Sequence, residues 1–198
     1  MSINNYKSIT LRRSKTDFSD GLGGGILLLC YKLRNPGVKN EDIPDWWRRS
    51  ILEQIWHTIR KWICQVWAPN CATTAIRIGL YRLCGFKIGK NTFIGMKCYL
   101  DDLCVDKMEI GNNVTISYGV YFACHGRNQG HNRLTIEDGA YIGMRCSIIA
   151  RHDGMVIGKN SVIGANSLVN KDIPANATAY GVPVKVVEVN ELDNIERK

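Results

Sequence analysis

An aliphatic or aromatic residue returns at every sixth position over most of residues 88–169. The positions form four groups of three: Ile88, Ile94 and Leu100; Ile110, Ile116 and Phe122; Ile136, Ile142 and Ile148; Ile157, Ile163 and Val169. Glycine follows six of them, and a small or β-branched residue such as Thr92 or Cys98 stands four positions later. A fixed period of this kind is typical of a solenoid, because a short strand with a turn cannot bury its own apolar face. The pattern predicts a mainly β fold, a parallel β-helix with glycine or asparagine at its corners.

A parallel α/β sheet with Ile-Gly strand ends would also place aliphatic residues before glycines. That fold needs a helical crossover between strands, and no stretch of the region has the helical period.

Three segments interrupt the six-residue period, at residues 106–109, 127–135 and 151–156. Interruptions of a solenoid map to loops, where functional residues concentrate. We therefore expect a helical extension over residues 1–87, a repeat domain over 88–189 and a tail over 190–198.

The basic charge of the chain lies outside the repeats. Residues 1–87 contain 14 Lys and Arg against 6 Asp and Glu, whereas the remaining residues contain 12 of each.

Within residues 1–87, the segment 44–67 predicts a helix that Asp45 caps, with an apolar stripe that includes Ile51, Ile55 and Trp62. A second short helix is predicted over residues 72–83. A basic helix with five tryptophans between Trp46 and Trp67 suits an anionic membrane surface. Packing against the β-helix or a neighbouring subunit explains the same stripe, and we favour it.

The eight cysteines favour a reduced, cytoplasmic protein. Cys98, Cys104 and Cys146 fall at the small inward position of a repeat, where a thiol behaves as a compact hydrophobe. The sequence contains no CxxC pair, which argues against structural zinc. No secretory signal is evident at the N-terminus, and the longest apolar run, within residues 22–33, is too short to span a bilayer.

The C-terminal repeats contain two motifs that resemble a known family. Residues 163–174 read IGANSLVNKDIP and residues 181–187 read GVPVKVV. Together they resemble the closing coil and CoA-binding tail of the hexapeptide-repeat acyltransferases, a superfamily that includes galactoside, maltose and serine acetyltransferases. The resemblance implies a left-handed β-helix, acetyl-CoA as co-substrate, and no metal. It also implies a homotrimer whose active sites lie between adjacent subunits.

The resemblance further implies that His125 is the general base, since the family places a histidine just past the aliphatic of a central coil. A neutral imidazole takes the proton of an acceptor hydroxyl or amine as it attacks the thioester. His131, within the same projecting loop, and His152, one coil further on, are alternatives or supporting groups. A carboxylate is expected to orient the imidazole, and the candidates are Asp101, Asp102 and Glu137.

The acyl-CoA site follows from the resemblance position by position. Met144 and Ala165 correspond to contacts with the pantetheine arm, Asn170 and Lys171 to contacts with CoA phosphates, and Lys185 to the basic residue of the tail. Asn170 replaces the usual threonine. Tyr141 stands where several sugar acetyltransferases have tryptophan, which leaves the geometry of the acceptor open.

We therefore expect an O-acetyltransferase that acts on a sugar hydroxyl of a surface polysaccharide, or on its lipid-linked precursor at the inner membrane face. An N-acetyltransferase acting on a nucleotide-linked amino sugar is the alternative within the superfamily. Residues 1–87 lack the glycine motif of a Rossmann-type nucleotide-binding domain, which favours oxygen acylation. A zinc carbonic anhydrase using His125, His131 and His152, and a non-catalytic scaffold, remain as further alternatives. We expect no nucleic-acid partner.

Overall fold

The computed structural model describes residues 24–44, 47, 50–125 and 131–189, and its repeats form a parallel β-helix. The first strands are β1 (Lys87–Ile88), β2 (Phe93–Ile94), β3 (Met108–Ile110), β4 (Thr115–Ile116), β5 (Tyr121–Ala123), β6 (Leu134–Ile136) and β7 (Tyr141–Ile142). They are followed by β8 (Ser147–Ile149), β9 (Met155–Ile157), β10 (Val162–Ile163), β11 (Leu168–Val169), β12 (Ala177–Tyr180) and β13 (Lys185–Val189).

The strands form three sheets, which are the three faces of the coil. Sheet A has the order β1-β3-β6-β9, sheet B the order β13-β12-β10-β7-β4-β2, and sheet C the order β11-β8-β5. All pairings are parallel except that of β12 with β13. The strand register places the sixth-position residues one above another, as in Ile94, Ile116 and Ile142. These three side chains are buried, which confirms the solenoid prediction.

The glycines after the aliphatic residues have a different role from the predicted one. Gly89 and Gly158 do not have positive φ. Instead, a Cβ atom at Gly89 would lie 2.4 Å from the carbonyl carbon of Gly111, and one at Gly158 would lie 2.4 Å from the nitrogen of Ala175. Glycine is needed there because the next coil approaches too closely for a side chain. Other residues take the left-handed conformation at the corners: Asn91, Lys97, Asn113, Arg145, Asn160, Asn166 and Asn176, with Gly119 and Gly139.

The extra residues at the three interruptions partly belong to strands. Met108, Leu134 and Met155 lie in sheet A rather than in loops, and their side chains are at most 2% exposed. Each adds a second buried apolar residue to its strand, which lengthens sheet A to three residues per coil. The projecting segments are therefore shorter than the sequence pattern suggested.

The chain divides into two compact units, residues 1–57 and 58–198. In the first unit, helix α1 spans Gly24–Arg34, a turn of 3₁₀ helix spans Asn40–Asp42, and the Tyr31 and Trp47 rings lie 5.1 Å apart. Helix α2 spans Ile51–Trp62 and begins with a capping box. Ser50 Oγ accepts from the Glu53 N–H at 3.2 Å, and Glu53 Oε2 accepts from the Ser50 N–H at 3.3 Å. The predicted cap, Asp45, lies outside the described residues.

In the second unit, a helical layer covers the first coil. A turn of π helix (Ile63–Trp67) leads into α3 (Ala68–Asn70) and α4 (Thr74–Leu83). Buried Arg77 donates to the Ile94 carbonyl at 2.7 Å, and the Tyr81 hydroxyl donates to the Cys98 carbonyl at 3.1 Å. These bonds supply donors to two backbone carbonyls of the first coil, at the edge of the β-helix, that would otherwise lack them. Residues 58–87 thus pack with the repeats, so the compact unit begins earlier than residue 88.

No helix in the described part of the chain is both long and apolar enough to cross a membrane.

Candidate active site

His125 lies at the corner between sheets C and A, directly after β5. Its Nδ1 atom is 2.5 Å from Oδ2 of Asp101, which lies one coil earlier at the same corner. The Asp101 side chain is fully buried, whereas that of His125 is 32% exposed. Because a carboxylate oxygen accepts hydrogen bonds, the contact favours the neutral tautomer in which Nδ1 carries the proton and Nε2 has the lone pair. An oriented, solvent-accessible imidazole of this kind can act as a general base.

Backbone groups fix the Asp101 carboxylate. Its Oδ2 also accepts from the Cys124 N–H at 2.8 Å, and its Oδ1 accepts from the Leu103 N–H at 3.2 Å. The first bond ties the carboxylate to the residue before His125, and the second ties it to its own turn. The buried charge is therefore stabilised by three donors.

Asp102, the second candidate carboxylate, faces the helical layer. Gln65 Nε2 donates to its Oδ1 at 2.7 Å, and Arg60 Nη2 donates to its backbone carbonyl at 3.3 Å. Burial, with the nearby carboxylates of Asp101 and Asp102, raises the pKa of Tyr99. The Tyr99 ring stacks on that of Tyr121 at 4.4 Å. Asp102 thus connects the turn beside His125 to residues outside the repeats.

The base of the projecting loop is described, whereas residues 126–130 are not. His125 and His131 form an antiparallel bridge, and the Asn132 N–H donates to the Cys124 carbonyl at 2.6 Å. Buried Asn132 also donates from Nδ2 to the Ala150 carbonyl at 2.9 Å. His131 is exposed beside His125, and exposed His152 lies at the same corner one coil later.

Glu137, the third candidate carboxylate, lies at a different corner. It follows β6 of sheet A, and its Oε2 accepts from the Lys159 N–H at 2.8 Å. It borders an open groove of about 710 Å³ on sheet A, together with Lys87, Glu109 and Asp138. This groove is away from the His125 corner, so the structure brings only Asp101 to the imidazole.

The five predicted acyl-CoA residues are exposed and fall at three places. Met144 and Ala165 occupy successive coils at the corner between sheets B and C, where the Asn166 N–H donates to the Met144 carbonyl at 2.9 Å. Asn170 and Lys171 follow β11 at the corner between sheets C and A, and Lys185 begins β13. Tyr141 points outward from sheet B, with its hydroxyl 3.4 Å from Ser117 Oγ. Within one chain, Met144 and His125 therefore lie at opposite ends of sheet C.

The cysteines near His125 are protonated in the neutral pH range. Burial and the nearby Asp101 carboxylate raise the pKa of Cys104 to about 12. Burial also raises the pKa of Cys124. These thiols therefore act as packing groups rather than as nucleophiles. Among the described residues, no cluster of three or more His, Cys, Asp or Glu side chains is arranged to hold a metal ion.

Sequence reasoning missed Gln65 and Asn132. Both are uncharged amides outside the repeat pattern, and their partners are 37 and 18 residues away in the chain. The one available signal for Gln65 was its place on the polar side of the amphipathic helix.

Comparison with known proteins is consistent with this architecture. A family described as the hexapeptide repeat of succinyl-transferase matches residues 86–122 and 133–171. The serine acetyltransferase of Bacillus licheniformis is 37% identical over 108 residues, which are 54% of this chain and 47% of that protein. The galactoside O-acetyltransferase of Escherichia coli is 36% identical over 126 residues, covering 54% of this chain and 59% of that protein. The chain thus spans about half the length of these curated relatives.

Two solved structures share the fold. A maltose O-acetyltransferase from Clostridium difficile superposes with a TM-score of 0.54 and 28% identity, over 72% of this chain and 90% of that one. A hexapeptide-repeat acetyltransferase from Vibrio cholerae gives a TM-score of 0.51 and 21% identity, over 71% and 93% of the two chains. In its repeats, its strand register and these comparisons, the repeat region of this chain is similar to hexapeptide-repeat proteins, among them serine, galactoside and maltose acetyltransferases.

Proposed function

We propose that the protein transfers an acetyl group from acetyl-CoA to a sugar hydroxyl of a surface polysaccharide or of its precursor. His125 is the general base of this reaction, and Asp101 orients it. The observation that carries the proposal is the 2.5 Å contact between His125 Nδ1 and the buried Asp101 carboxylate. An imidazole held in one tautomer, with its second nitrogen accessible, is what direct acyl transfer to a hydroxyl requires.

The proposed reaction has two proton transfers. His125 Nε2 accepts the hydroxyl proton as the acceptor oxygen bonds to the thioester carbonyl carbon, which gives a tetrahedral intermediate. Asp101 stabilises the imidazolium that forms. The intermediate collapses with cleavage of the carbon–sulfur bond, and the imidazolium returns the proton to the CoA thiolate. Backbone N–H groups are the expected donors to the oxyanion.

The residues proposed for the donor suit acetyl-CoA. Lys171 and Lys185 are exposed cations that match its phosphate charges, and Ala165 offers an exposed backbone corner without a large side chain. These groups bind and orient the donor, while the co-substrate supplies the activated acetyl group. The Asp101 carboxylate and the His125 imidazole take part in the chemistry.

The separation of Met144 from His125 supports a shared site in a homotrimer. Because both Met144 and His125 are needed, we expect the corner of one subunit that contains Met144 and Ala165 to meet the corner of the next subunit that contains His125. The outer face of sheet C then faces the partner subunits, and it exposes large side chains, with Tyr121 and Ile149 each 45% exposed. Burying such residues would stabilise the assembly.

The acceptor is proposed from the chemistry of the relatives and from this chain's own site. The galactoside and maltose O-acetyltransferases are named for O-acetylation of a sugar, and the serine acetyltransferase is named for acetylation of serine. Two of these names specify oxygen acylation, which favours it over N-acetylation of a nucleotide-linked amino sugar. A panel of serine, a galactoside, maltose and UDP-linked amino sugars separates these acceptors.

Helix α2 suits a peripheral contact with an anionic membrane, where a lipid-linked acceptor would be presented on the cytoplasmic side. Its apolar residues are exposed, with Leu52 70% and Trp62 57% accessible, and Arg60 and Lys61 lie in its last turn. Sedimentation with anionic and neutral vesicles tests this proposal for the full chain and for Leu52→Ser/Trp62→Ser. Equal sedimentation of both proteins with anionic vesicles would contradict the membrane contact and leave contact with a partner subunit.

The donor half of the proposal is tested by thermal unfolding with acetyl-CoA. A ligand at 100 times its dissociation constant stabilises the native state by about 2.7 kcal/mol, and for a chain of this size each kcal/mol is worth about 2–4 °C. We expect the same rise for the wild type and for His125→Ala, because His125 is not a donor-binding group. No rise at millimolar acetyl-CoA would contradict the acetyltransferase proposal and favour a scaffold.

A further inference from the structure

We propose that Gln65 is a positioning residue for the Asp101–His125 pair, acting through Asp102 from outside the repeat domain. The inference rests on the proposed role of His125. It assigns part of the site's geometry to the helical layer, which the repeat pattern does not include.

Gln65 contacts the active-site turn through one short hydrogen bond. Its Nε2 lies 2.7 Å from Oδ1 of Asp102, whose side chain is only 5% exposed. Asp102 is the chain neighbour of Asp101, so a shift of one displaces the other. The bond joins the π-helical turn Ile63–Trp67 to the corner that contains the carboxylate partner of His125.

Three further contacts hold the turn that contains Asp102. Arg60 Nη2 lies 3.3 Å from the Asp102 backbone carbonyl, and Tyr99, two residues before Asp101, forms a parallel bridge with Tyr121. Tyr99 in turn stacks on Tyr121, the first residue of the strand that leads to His125. The turn is thus held from the helical layer and from sheet C at once.

The other hydrogen bonds of the turn lie within it or run to the next coil. After Asp101, the chain forms the Leu103 N–H bond to Asp101 Oδ1 and the Cys104 N–H bond to the Asp101 carbonyl, and both are internal to the turn. The Cys124 N–H bond to Asp101 ties the turn to the next coil, and Gln65 and Arg60 tie it to the helical layer. Catalysis is sensitive to small errors in orientation, because displacement by about 1 Å can cost 10²-fold in rate.

The position of Gln65 in a π-helical turn fits this role. A π turn alters which residues of the helix face inward, and such turns are frequent at functional sites. Here the turn buries Ile63 and Cys64 in the core while Gln65 reaches Asp102. A regular α-helical continuation would rotate the following side chains by part of a turn.

The test compares two full-length variants that each detach the helical layer from the repeats at one place. Gln65→Met keeps side-chain length but removes the donor to Asp102. Arg82→Met is the matched control, because Arg82 donates to the Ile88 and Gly89 carbonyls of the first coil at 3.1 and 2.7 Å, away from Asp102. Gln65→Lys is the rescue variant, since it restores an N–H donor.

The first measurement is the proton NMR resonance of the His125 Nδ1–H, assigned by its loss in His125→Ala. A proton shared with a buried carboxylate resonates far downfield, and its position and width report the Asp101–His125 contact. We expect this resonance to shift or broaden in Gln65→Met, to stay at the wild-type position in Arg82→Met, and to return towards it in Gln65→Lys. An unchanged resonance in Gln65→Met would overturn the proposal.

The second measurement is acetyl transfer to the acceptor that the panel identifies. We expect kcat of Gln65→Met to fall about 10-fold with KM for acetyl-CoA unchanged, because orientation of the base is lost and the donor contacts are kept. An equal fall in Arg82→Met would mean that Gln65 has only a structural role. If the wild type transfers no acetyl group at all, the proposed function fails, whereas the NMR comparison still decides the positioning role.

Discussion

Replacing Asp101 by asparagine tests the proposed catalytic pair with almost no change in shape. In the wild type, Oδ2 accepts from His125 Nδ1 and the Cys124 N–H, at 2.5 and 2.8 Å, and Oδ1 accepts from the Leu103 N–H at 3.2 Å. The asparagine NH₂ group must replace one of these oxygens. At the Oδ2 position it would face two donors, so we expect it at the Oδ1 position, facing only the Leu103 N–H.

That orientation of the amide determines how much the variant loses in stability and in kcat. The partly buried Leu103 N–H loses its acceptor, which costs about 1 kcal/mol of stability. At about 2–4 °C per kcal/mol, the variant melts a few degrees lower and remains folded at 25 °C. The amide oxygen still accepts from His125 Nδ1–H, but no negative charge remains to balance the imidazolium. We therefore expect kcat to fall by about 10²- to 10⁴-fold.

The assay is the release of CoA from acetyl-CoA in the presence of the identified acceptor, with the acetyl-CoA melting shift measured in parallel. Asp138→Asn is the matched control, since Asp138 Oδ1 accepts from the Asn112 N–H at 2.6 Å at an exposed corner away from His125. We expect the control to retain wild-type kcat. The reasoning is refuted if Asp101→Asn also retains wild-type kcat while folded and able to bind acetyl-CoA.

Two further predictions concern the scaffold. Gly158→Ala should lower the free energy of unfolding, measured in urea, by about 1–3 kcal/mol, because the new Cβ would lie 2.4 Å from the Ala175 nitrogen. An unchanged midpoint of the urea transition would show that the coils are less tightly stacked. Six of the eight cysteines are buried. A thiol reagent should therefore modify only Cys30 and Cys71 promptly in the native protein, and all eight in guanidinium. Prompt reaction of further thiols in the native protein would contradict the packing of the coil interior.

The repeat domain was predictable because its period is a physical requirement of every coil. A residue such as Ile142 must fill the interior above Ile116 and below Ile163, and these contacts leave a regular trace in the sequence. The lengthened strands of sheet A were not predicted, because an extra buried residue such as Leu134 looks the same in sequence as the end of a loop. The role of the Ile-Gly glycines was predicted wrongly, because close approach between coils depends on the neighbouring coil.

The candidate site was partly predictable. His125 followed from the resemblance, and a carboxylate partner was expected on chemical grounds with three candidates. Choosing Asp101 required the fold, which turns Asp102 towards the helical layer and Glu137 to another corner. The contact of Gln65 could not be predicted, because Gln65 lies 37 residues before its partner Asp102 and belongs to no repeat. Helix α2 was predicted from its apolar stripe, while its Ser50–Glu53 capping box was overlooked.

The most direct test of the central claim follows a labelled acetyl group from acetyl-CoA to the acceptor panel, for the wild type and His125→Ala. The account predicts labelled sugar with the wild type and a loss of at least about 10²-fold in His125→Ala, with the acetyl-CoA melting shift preserved. Equal transfer by both proteins would remove His125 from the role of general base. Absence of transfer and of a melting shift in the wild type would contradict the acetyltransferase assignment itself.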